Sequence, residues 1–288
     1  MLPLESVPNF SEGRDRATID AIGDALSAHA RLLDVHADPD HNRSVFTLVG
    51  SESELSDALL AGIAVAVERI DLRTHEGAHP RIGAADVVPF VPLVPDDLER
   101  ARRAAGVVAE RVGRELGLPV FCYAPPERGP AFYRRGGPER LQRRIDEGEL
   151  VPDFGPSRLH DTAGGVILGA RRPLIAFNVN LRGDVEVARA IAAVVRETGG
   201  GFRGVRALGL ELRRAGLAQV SMNVEDWEAS ALHEIVARIE SEAAARGVEV
   251  AGSELVGLMP AGAAAAAAGA ILRIDGFDAS HVLELRLL

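Results

Sequence analysis

The sequence predicts an α/β protein of the α+β sandwich type: two similar subdomains, each a mixed β-sheet with helices packed on one face, and a substrate groove between them. Three observations lead there. Apolar residues recur at helical spacing in blocks that alternate with short, strand-like apolar runs. The first half reads strand, helix, strand, strand, helix, strand, and the second half repeats that order. Finally, 288 residues suffice for two modest domains, each burying its own core. The boundary is placed near Pro173, giving subdomains at 1–173 and 174–288.

Taken in order, ESVPNF is a short strand, and Ile19, Ile22 and Leu26 then mark one face of a helix. LLDV and SVFTLVG are the next strands. Leu55, Leu59, Ile63 and Ile70 form a second helical stripe, followed by the polar loop RTHEGAHPRIG and the apolar strand DVVPFVPLV. A further helix and strand occupy about residues 96–123. The Gly/Pro/Arg-rich PPERGPAFYRRGGPER is a loop with a short helix after it. From VPDFGPSRLHDTAGG the order starts again: ARRPLIAFNVNL as a strand, Val185 to Val195 as a helix, VRALGLEL and AQVSMNV as a hairpin, and Leu232, Ile235 and Ile239 as a helical stripe. The run AGAAAAAAGAI reads as a helix because alanine has the highest helix propensity. ILRIDGF and HVLELRLL close the chain as strand-like or docking segments.

Composition removes several classes of function. Hydrophobic residues make up 47% and charged residues 26%, the balance of an ordinary globular protein. The first residues lack the pattern of a signal sequence, and no apolar stretch approaches the roughly 20 residues that span a bilayer, so a cytoplasmic protein without membrane contact is expected. Cys122 is the only cysteine, which rules out an internal disulfide; packing is its expected role, with a nucleophilic thiol as the alternative. The chain contains no lysine, so all 32 basic residues are arginine and lysine Schiff-base chemistry is excluded. Arginine forks suit carboxylates and phosphates. A formal net charge of −10 argues against nucleic-acid binding. The pairs Arg134/Arg135 and Arg143/Arg144 read as solvated surface.

The most conspicuous motif is His75-Glu76-Gly77-Ala78-His79, which formally matches the zinc-protease pattern HExxH. That chemistry needs both histidines on one turn of a continuous helix. Gly77 weakens a helix, Pro80 disfavours helical geometry at His79, and Ala85 stands where a metzincin would place a third histidine. A loop is predicted, with no metal. Imidazole both accepts and donates a proton near neutrality, so His79 is a candidate acid/base, although the loop alone reads more simply as solvated histidines. DVHADPDHNRSV is a polar turn in preference to a cation site, since it lacks the EF-hand spacing and Pro39 interrupts it. GPSRLHDTAGG offers backbone and hydroxyl donors to a polar ligand but fits no phosphate-loop template.

With these residues assembled, the sequence resembles the formiminotransferase domain family of glutamate formiminotransferase. The resemblance covers nearly the whole chain. It is carried by VPNFSEGR at 7–14, LLDV and NRSV within 32–45, HEGAHPRIGAADVVPFVP at 75–92, VPDFGPS at 151–157, IAFNVNL at 175–181, AQVSMNV and SELVGL. It implies two similar α/β subdomains, a homodimer, and transfer of a formimino group from N-formiminoglutamate to N5 of tetrahydrofolate. It makes His79, in the Gly-x-His-Pro-Arg segment, the catalytic residue. It assigns folate binding to Gly155, Pro156, Ser157, Arg158, Leu159, His160, Asp161, Thr162, Ala163 and Gly164.

One imidazole suffices for that reaction, because N5 loses a proton as it attacks the amidine carbon and the departing glutamate nitrogen gains one. Tetrahydrofolate, free or polyglutamylated, is the expected co-substrate. Arg81, Asn42, Arg43, Asn178 and Asn180 are further candidate contacts, Arg81 for a carboxylate; the alternatives are a surface ion pair for Arg81 and tied strand ends for the two asparagines of the second half. His36 stands where vertebrate members carry aspartate, and Ala163 where they carry tryptophan. Formyl transfer between 5-formyltetrahydrofolate and glutamate is a second reading, a non-catalytic folate-binding protein a third, and a zinc hydrolase a fourth.

Overall fold

The structure, a computed structural model, describes residues 2–123 and 128–286. The chain divides into two compact units, Met1–Arg172 and Pro173–Leu288. Each is an α/β unit with one β-sheet flanked by helices.

In the first unit, β1 (Leu4–Ser6) and β2 (Asn9–Phe10) are separated by Val7 and Pro8. Proline lacks a ladder donor, but its carbonyl still accepts from the Phe46 N–H at 3.0 Å. Helix α1 (Arg16–Ser27) starts on Asp15, whose carboxylate accepts from Ala17 N–H at 3.1 Å, and it buries Ile19, Ile22 and Leu26. Strands β3 (Arg31–Asp38) and β4 (Arg43–Gly50) lead to α2 (Glu52–Arg69), which opens with a reciprocal Ser51/Glu54 capping box. Leu55, Leu59 and Ile63 are buried on α2, while Ile70 ends the helix in extended backbone. Gly62 lets the two helices approach, since a Cβ there would lie 2.5 Å from Leu26 Cδ2.

Strand β5 (Ala85–Pro92) is buried along its whole length. It is followed by α3 (Leu98–Glu115) and β6 (Val120–Tyr123). Two helices, α4 (Pro130–Arg134) and α5 (Gly137–Asp146), occupy the part of the Gly/Pro/Arg-rich segment that the structure describes; residues 125–127 of that segment lie outside the described residues. Strand β7 (Val166–Ala170) then enters between β5 and β6, parallel to both. The sequence reading places no strand there. All five β7 residues are buried, so VILGA shows no alternation to read. The result is a seven-stranded mixed sheet in the order β1-β4-β2-β5-β7-β6, with β3 on the outer side of β4. The main apolar cluster joins α1, α2 and α3 to one sheet face. A second cluster of Val87, Phe121, Tyr123, Tyr133, Leu141, Ile145 and Ile167 puts α4 and α5 on part of the other.

The second unit is β8 (Ile175–Arg182), α6 (Val185–Val195), β9 (Val205–Leu212), β10 (Leu217–Val224), α7 (Leu232–Ala245) and β11 (Glu249–Val256). The predicted hairpin of β9 and β10 is present. The sheet order is β11-β8-β10-β9, antiparallel throughout where a mixed sheet is predicted. The reason is topological: the strands joined through α6 are separated by β10, and those joined through α7 by β8, so no helix-linked pair lies side by side. Strand β11 is absent from the sequence reading; Gly252 and a register shift after Val250 break its alternation.

The alanine run forms α8 (Ala261–Leu272). The strand-like reading of ILRIDGF is wrong. Ile271 and Leu272 finish that helix, Arg273 adopts a left-handed cap at φ 56°, and the rest is turn. The described part of HVLELRLL forms single 3₁₀ turns at Ala279–His281 and 284–286 instead of a strand; Leu287 and Leu288 lie outside the described residues. Among the described residues, no helix is long and apolar enough to cross a membrane.

Candidate active site

After α2 the chain makes one 3₁₀ turn, Leu72–Thr74, and then runs as loop to β5. His75 and His79 therefore do not share a helical turn, and HEGAH lacks the geometry that the zinc motif requires. The loop is held close to the β3–β4 turn. Ala78 N–H donates to Asp40 O at 3.0 Å, and Asn42 Nδ2 donates to Glu76 O at 3.0 Å. Gly77 permits this approach, since a Cβ there would lie 2.2 Å from His41 O and 2.3 Å from Arg81 Nη2.

His79 is half-exposed, and its Nδ1 lies 2.8 Å from the carbonyl of Pro80. A carbonyl only accepts, so Nδ1 carries the proton and the lone pair is left on Nε2. The His41 ring stacks beside it, centroids 6.0 Å apart. Desolvation, then the charges of Arg43 and Arg134, hold the His79 imidazole well below its ordinary pKa, against a smaller opposing pull from Asp86. At neutral pH His79 is thus an uncharged base with a defined tautomer.

The charges come from a buried cluster that the sequence reading did not assemble. Asp86, at the head of β5, is fully buried. Its Oδ2 accepts from Arg43 Nη1 at 2.7 Å and from Arg134 Nη2, and its Oδ1 accepts from Ile82 N–H at 2.8 Å. Burial alone would raise the Asp86 pKa, but Arg134 and Arg43 outweigh it and hold the carboxyl below its ordinary range. Arg134 is no solvated surface residue; only 14% of its side chain is exposed. Two guanidiniums against one carboxylate leave a surplus positive charge beside His79. A lone aspartate opening a wholly apolar strand was the signal in the sequence: such a residue is buried only with a partner.

The other predicted contacts take different places. Arg81 is not free to grip a carboxylate, and it is not a surface ion pair. Nε and Nη2 donate to His79 O at 3.2 and 2.8 Å, Nη2 also to His41 O at 2.6 Å, and Nη1 to Asn42 O at 2.7 Å, with His75 Nε2 3.0 Å from Nη1. The four bonds to carbonyls use four of the five guanidinium N–H groups, and His75 Nε2 also lies 3.2 Å from Asn42 O. Asn42, in left-handed backbone at φ 46°, is structural as well: its Oδ1 accepts from Gly13 N–H at 3.0 Å. Arg43 is 7% exposed and bound to Asn9 Oδ1 and Asp86. His75 is pushed down to about 4 by burial and by Arg81.

The stretch Gly155–Gly164 is stitched to the same loop. Leu72 N–H donates to Thr162 O, Ala84 N–H to Ala163 O, both at 2.8 Å, and Gly83 and Gly164 form an antiparallel bridge. Gly155, Pro156, Ser157, Arg158 and Asp161 are exposed, and Leu159, His160 and Thr162 half-buried. His160 Nδ1 accepts from Ala163 N–H at 3.1 Å. Ala163 itself packs in the main core, 2% exposed, so its side chain presents no surface to a ligand. His36 lies half-buried on β3, opposite Val45.

In the second unit, Asn178 and Asn180 are mid-strand, not at strand ends. They share a face of β8. Asn178 Nδ2 donates to Glu254 Oε2 at 3.1 Å on β11, and Asn180 Oδ1 accepts from Gln219 Nε2 at 2.9 Å on β10. Cys122 packs against the core, and burial, then Asp153, push its thiol up to about 12; it stays protonated and is no nucleophile.

Comparison with known proteins identifies the family over nearly the whole chain. Residues 3–171 match the formiminotransferase domain, N-terminal subdomain, and residues 176–277 match the formiminotransferase domain. A glutamate formimidoyltransferase of Streptococcus pyogenes serotype M1 is 40% identical, covering 99% of this chain and 98% of that protein. One from Thermoplasma acidophilum is 42% identical, covering 99% and 97%. The formimidoyltransferase-cyclodeaminase of Rattus norvegicus is 39% identical over 89% of this chain, which spans 50% of that longer protein. The chain belongs to the formiminotransferase family.

Proposed function

We propose that the protein is a glutamate formimidoyltransferase, moving a formimino group between N-formimino-L-glutamate and N5 of tetrahydrofolate to give 5-formiminotetrahydrofolate and glutamate in histidine degradation. The observation that carries the chemistry is the bond from His79 Nδ1 to the Pro80 carbonyl, which leaves Nε2 as the free base. Tetrahydrofolate supplies the secondary amine that accepts the one-carbon unit.

His79 Nε2 takes the proton from that amine nitrogen as it bonds to the amidine carbon. It then returns the proton to the glutamate nitrogen as the old carbon–nitrogen bond breaks. No electron is gained or lost, and no net proton is consumed. Such acid/base help is worth about a hundred to ten thousand-fold in rate. The surplus positive charge of Arg43 and Arg134 over Asp86 suits a substrate that carries two carboxylates, and it adds to desolvation in keeping the imidazole neutral.

The folate is assigned to the stretch Gly155–Gly164, whose exposed first residues are available to a ligand while its last residues are tied to the His79 loop. The active species is a cytoplasmic homodimer. The test is formimino transfer from N-formiminoglutamate to tetrahydrofolate, followed by the absorbance of the folate product in wild type and His79→Ala. A loss of a hundredfold or more in kcat is expected. Equal rates would remove His79 from the mechanism, and absence of transfer in both proteins, with formyl transfer in the wild type, would reassign the donor.

A further inference from the structure

Arg81 lies two residues from His79, and chain proximity alone makes it a substrate contact. Its hydrogen bonds say otherwise. A guanidinium has five N–H groups in one rigid plane. Here two of them reach the same acceptor, the carbonyl of His79, from Nε at 3.2 Å and Nη2 at 2.8 Å. The others run to the carbonyls of His41 at 2.6 Å and Asn42 at 2.7 Å, and to the His75 ring at 3.0 Å. The acceptors belong to two segments about 40 residues apart in sequence, the β3–β4 turn and the loop that carries His79.

We propose that Arg81 is a positioning residue: its guanidinium, bonded to three backbone carbonyls, clamps the backbone of His79 to the β3–β4 turn and so aims the imidazole, without touching substrate. Three features of the surroundings fit a clamp. Gly77 has no side chain where a Cβ would lie 2.3 Å from Arg81 Nη2, so the loop is shaped around the guanidinium. Asn42 offers its carbonyl to Arg81 from a left-handed backbone while its side chain joins Gly13 and Glu76, which fixes that carbonyl from both sides. The His75 ring closes the cluster, its Nε2 lying 3.0 Å from Nη1 and 3.2 Å from the same Asn42 carbonyl.

Lysine cannot replace this geometry. An ammonium has three donors on one atom, whereas the three carbonyls around Arg81 take four N–H groups distributed about a planar fork. The loop would persist in Arg81→Lys, with the imidazole displaced. A displacement of about 1 Å in a catalytic group costs on the order of a hundredfold in rate.

The kinetic part of the test rests on the formimino-transfer reading; the spectroscopic part does not. In Arg81→Lys and Arg81→Ala, kcat for formimino transfer is expected to fall ten- to a hundredfold, with KM for N-formiminoglutamate within about twofold of wild type. Guanidinium ion added to Arg81→Ala is expected to restore part of kcat. A tenfold rise in KM at unchanged kcat would make Arg81 a substrate contact and overturn the proposal, and so would unchanged constants in both variants. Wild type that transfers nothing sinks the functional reading instead.

The second measurement uses wild-type protein and stands even where the variants fail to fold. Arg81 Nε–H, bonded inside the protein, is expected as a solvent-protected side-chain resonance in a ¹H–¹⁵N spectrum, unmoved by saturating glutamate. A resonance exchanging freely with water, or one that shifts on glutamate binding as a new acceptor arrives, refutes the clamp.

Discussion

Replacing Asp86 with asparagine tests the charge cluster at its least replaceable member. The change is nearly isosteric, so packing is conserved and the perturbation is electrostatic. In the wild type one fully buried carboxylate accepts from Arg43 at 2.7 Å, from Arg134, and from Ile82 N–H at 2.8 Å. The two arginine side chains are only 8% and 14% exposed, so water cannot take over the lost charge. Asp86→Asn leaves two guanidiniums without a counter-charge, and the amide NH₂ must face either them or the Ile82 N–H. Removing one partner of a buried ion pair costs about 3–5 kcal/mol, a large part of a total stability of about 5–15 kcal/mol. Urea denaturation at pH 7 reads this directly as a lowered midpoint. The pH dependence supplies a second reading. The folded pKa of Asp86 lies below its ordinary value of 3.8, so its contribution is fully present above 3.8 and is lost as pH falls through the folded value. The gap between the two proteins should therefore stay constant from pH 7 to about pH 5 and narrow only below about pH 4. A variant within about 1 kcal/mol of wild type at pH 7, or a gap that closes between pH 7 and pH 5, would show that the cluster is not the buried ion triad described here.

The histidines of the loop predict an acid sensitivity of their own. His75 has a folded pKa of about 4 against an ordinary 6.5, so the unfolded chain takes up that proton first and stability falls as pH drops from 6.5 towards 4. His75→Gln is expected to flatten the urea midpoint over that interval, and an unchanged slope would disprove the assignment. His79 is also depressed, so the acidic limb of kcat/KM should lie below the ordinary histidine range. Carboxylates bound near Arg43 and Arg134 offset the charge that depresses it, so the limb of kcat should lie at higher pH than that of kcat/KM; the reverse order in a pH–rate series contradicts the cluster's role. Gly164→Ala places a side chain at φ 68°, with its Cβ 2.0 Å from the Ile82 carbonyl. Backbone cannot yield as a side chain can, and a loss of more than about 2 kcal/mol in thermal unfolding is expected, against a gain of about 0.4–1 kcal/mol for the unhindered Gly106→Ala inside α3.

The helices were legible in the sequence because their information is local. Ile19, Ile22 and Leu26, or Leu55, Leu59 and Ile63, announce a buried face through spacing alone, and each set is buried. Pro80 and Gly77 made the HEGAH segment a loop by the same kind of local argument. Strand β7 escaped because a parallel strand buried on both faces has no alternation, and five apolar residues fit helix and strand alike. Strand β11 escaped because a bulge shifts its register.

The site divides along a different line, between what a residue is and what it meets. His79 was a candidate from its type and from the family resemblance of its Gly-x-His-Pro-Arg segment. The meaning of its neighbours was not, because their partners come from distant parts of the chain: Asp86 joins Arg43, 43 residues earlier, to Arg134, 48 residues later. Sequence proximity suggested Arg81 as a ligand for substrate, whereas its donors go to the carbonyls of His79 and of the β3–β4 turn, which sequence alone does not show. The two arginines of the ion triad and the arginine of the clamp therefore do different work. Arg43 and Arg134 bring uncompensated charge that adds to desolvation in keeping the imidazole neutral, whereas Arg81 spends its donors on backbone carbonyls and is proposed to set its position. A base that is neutral but loosely held, or well placed but protonated, would serve the transfer equally badly. The loop needs both kinds of arginine, and only the fold shows which is which.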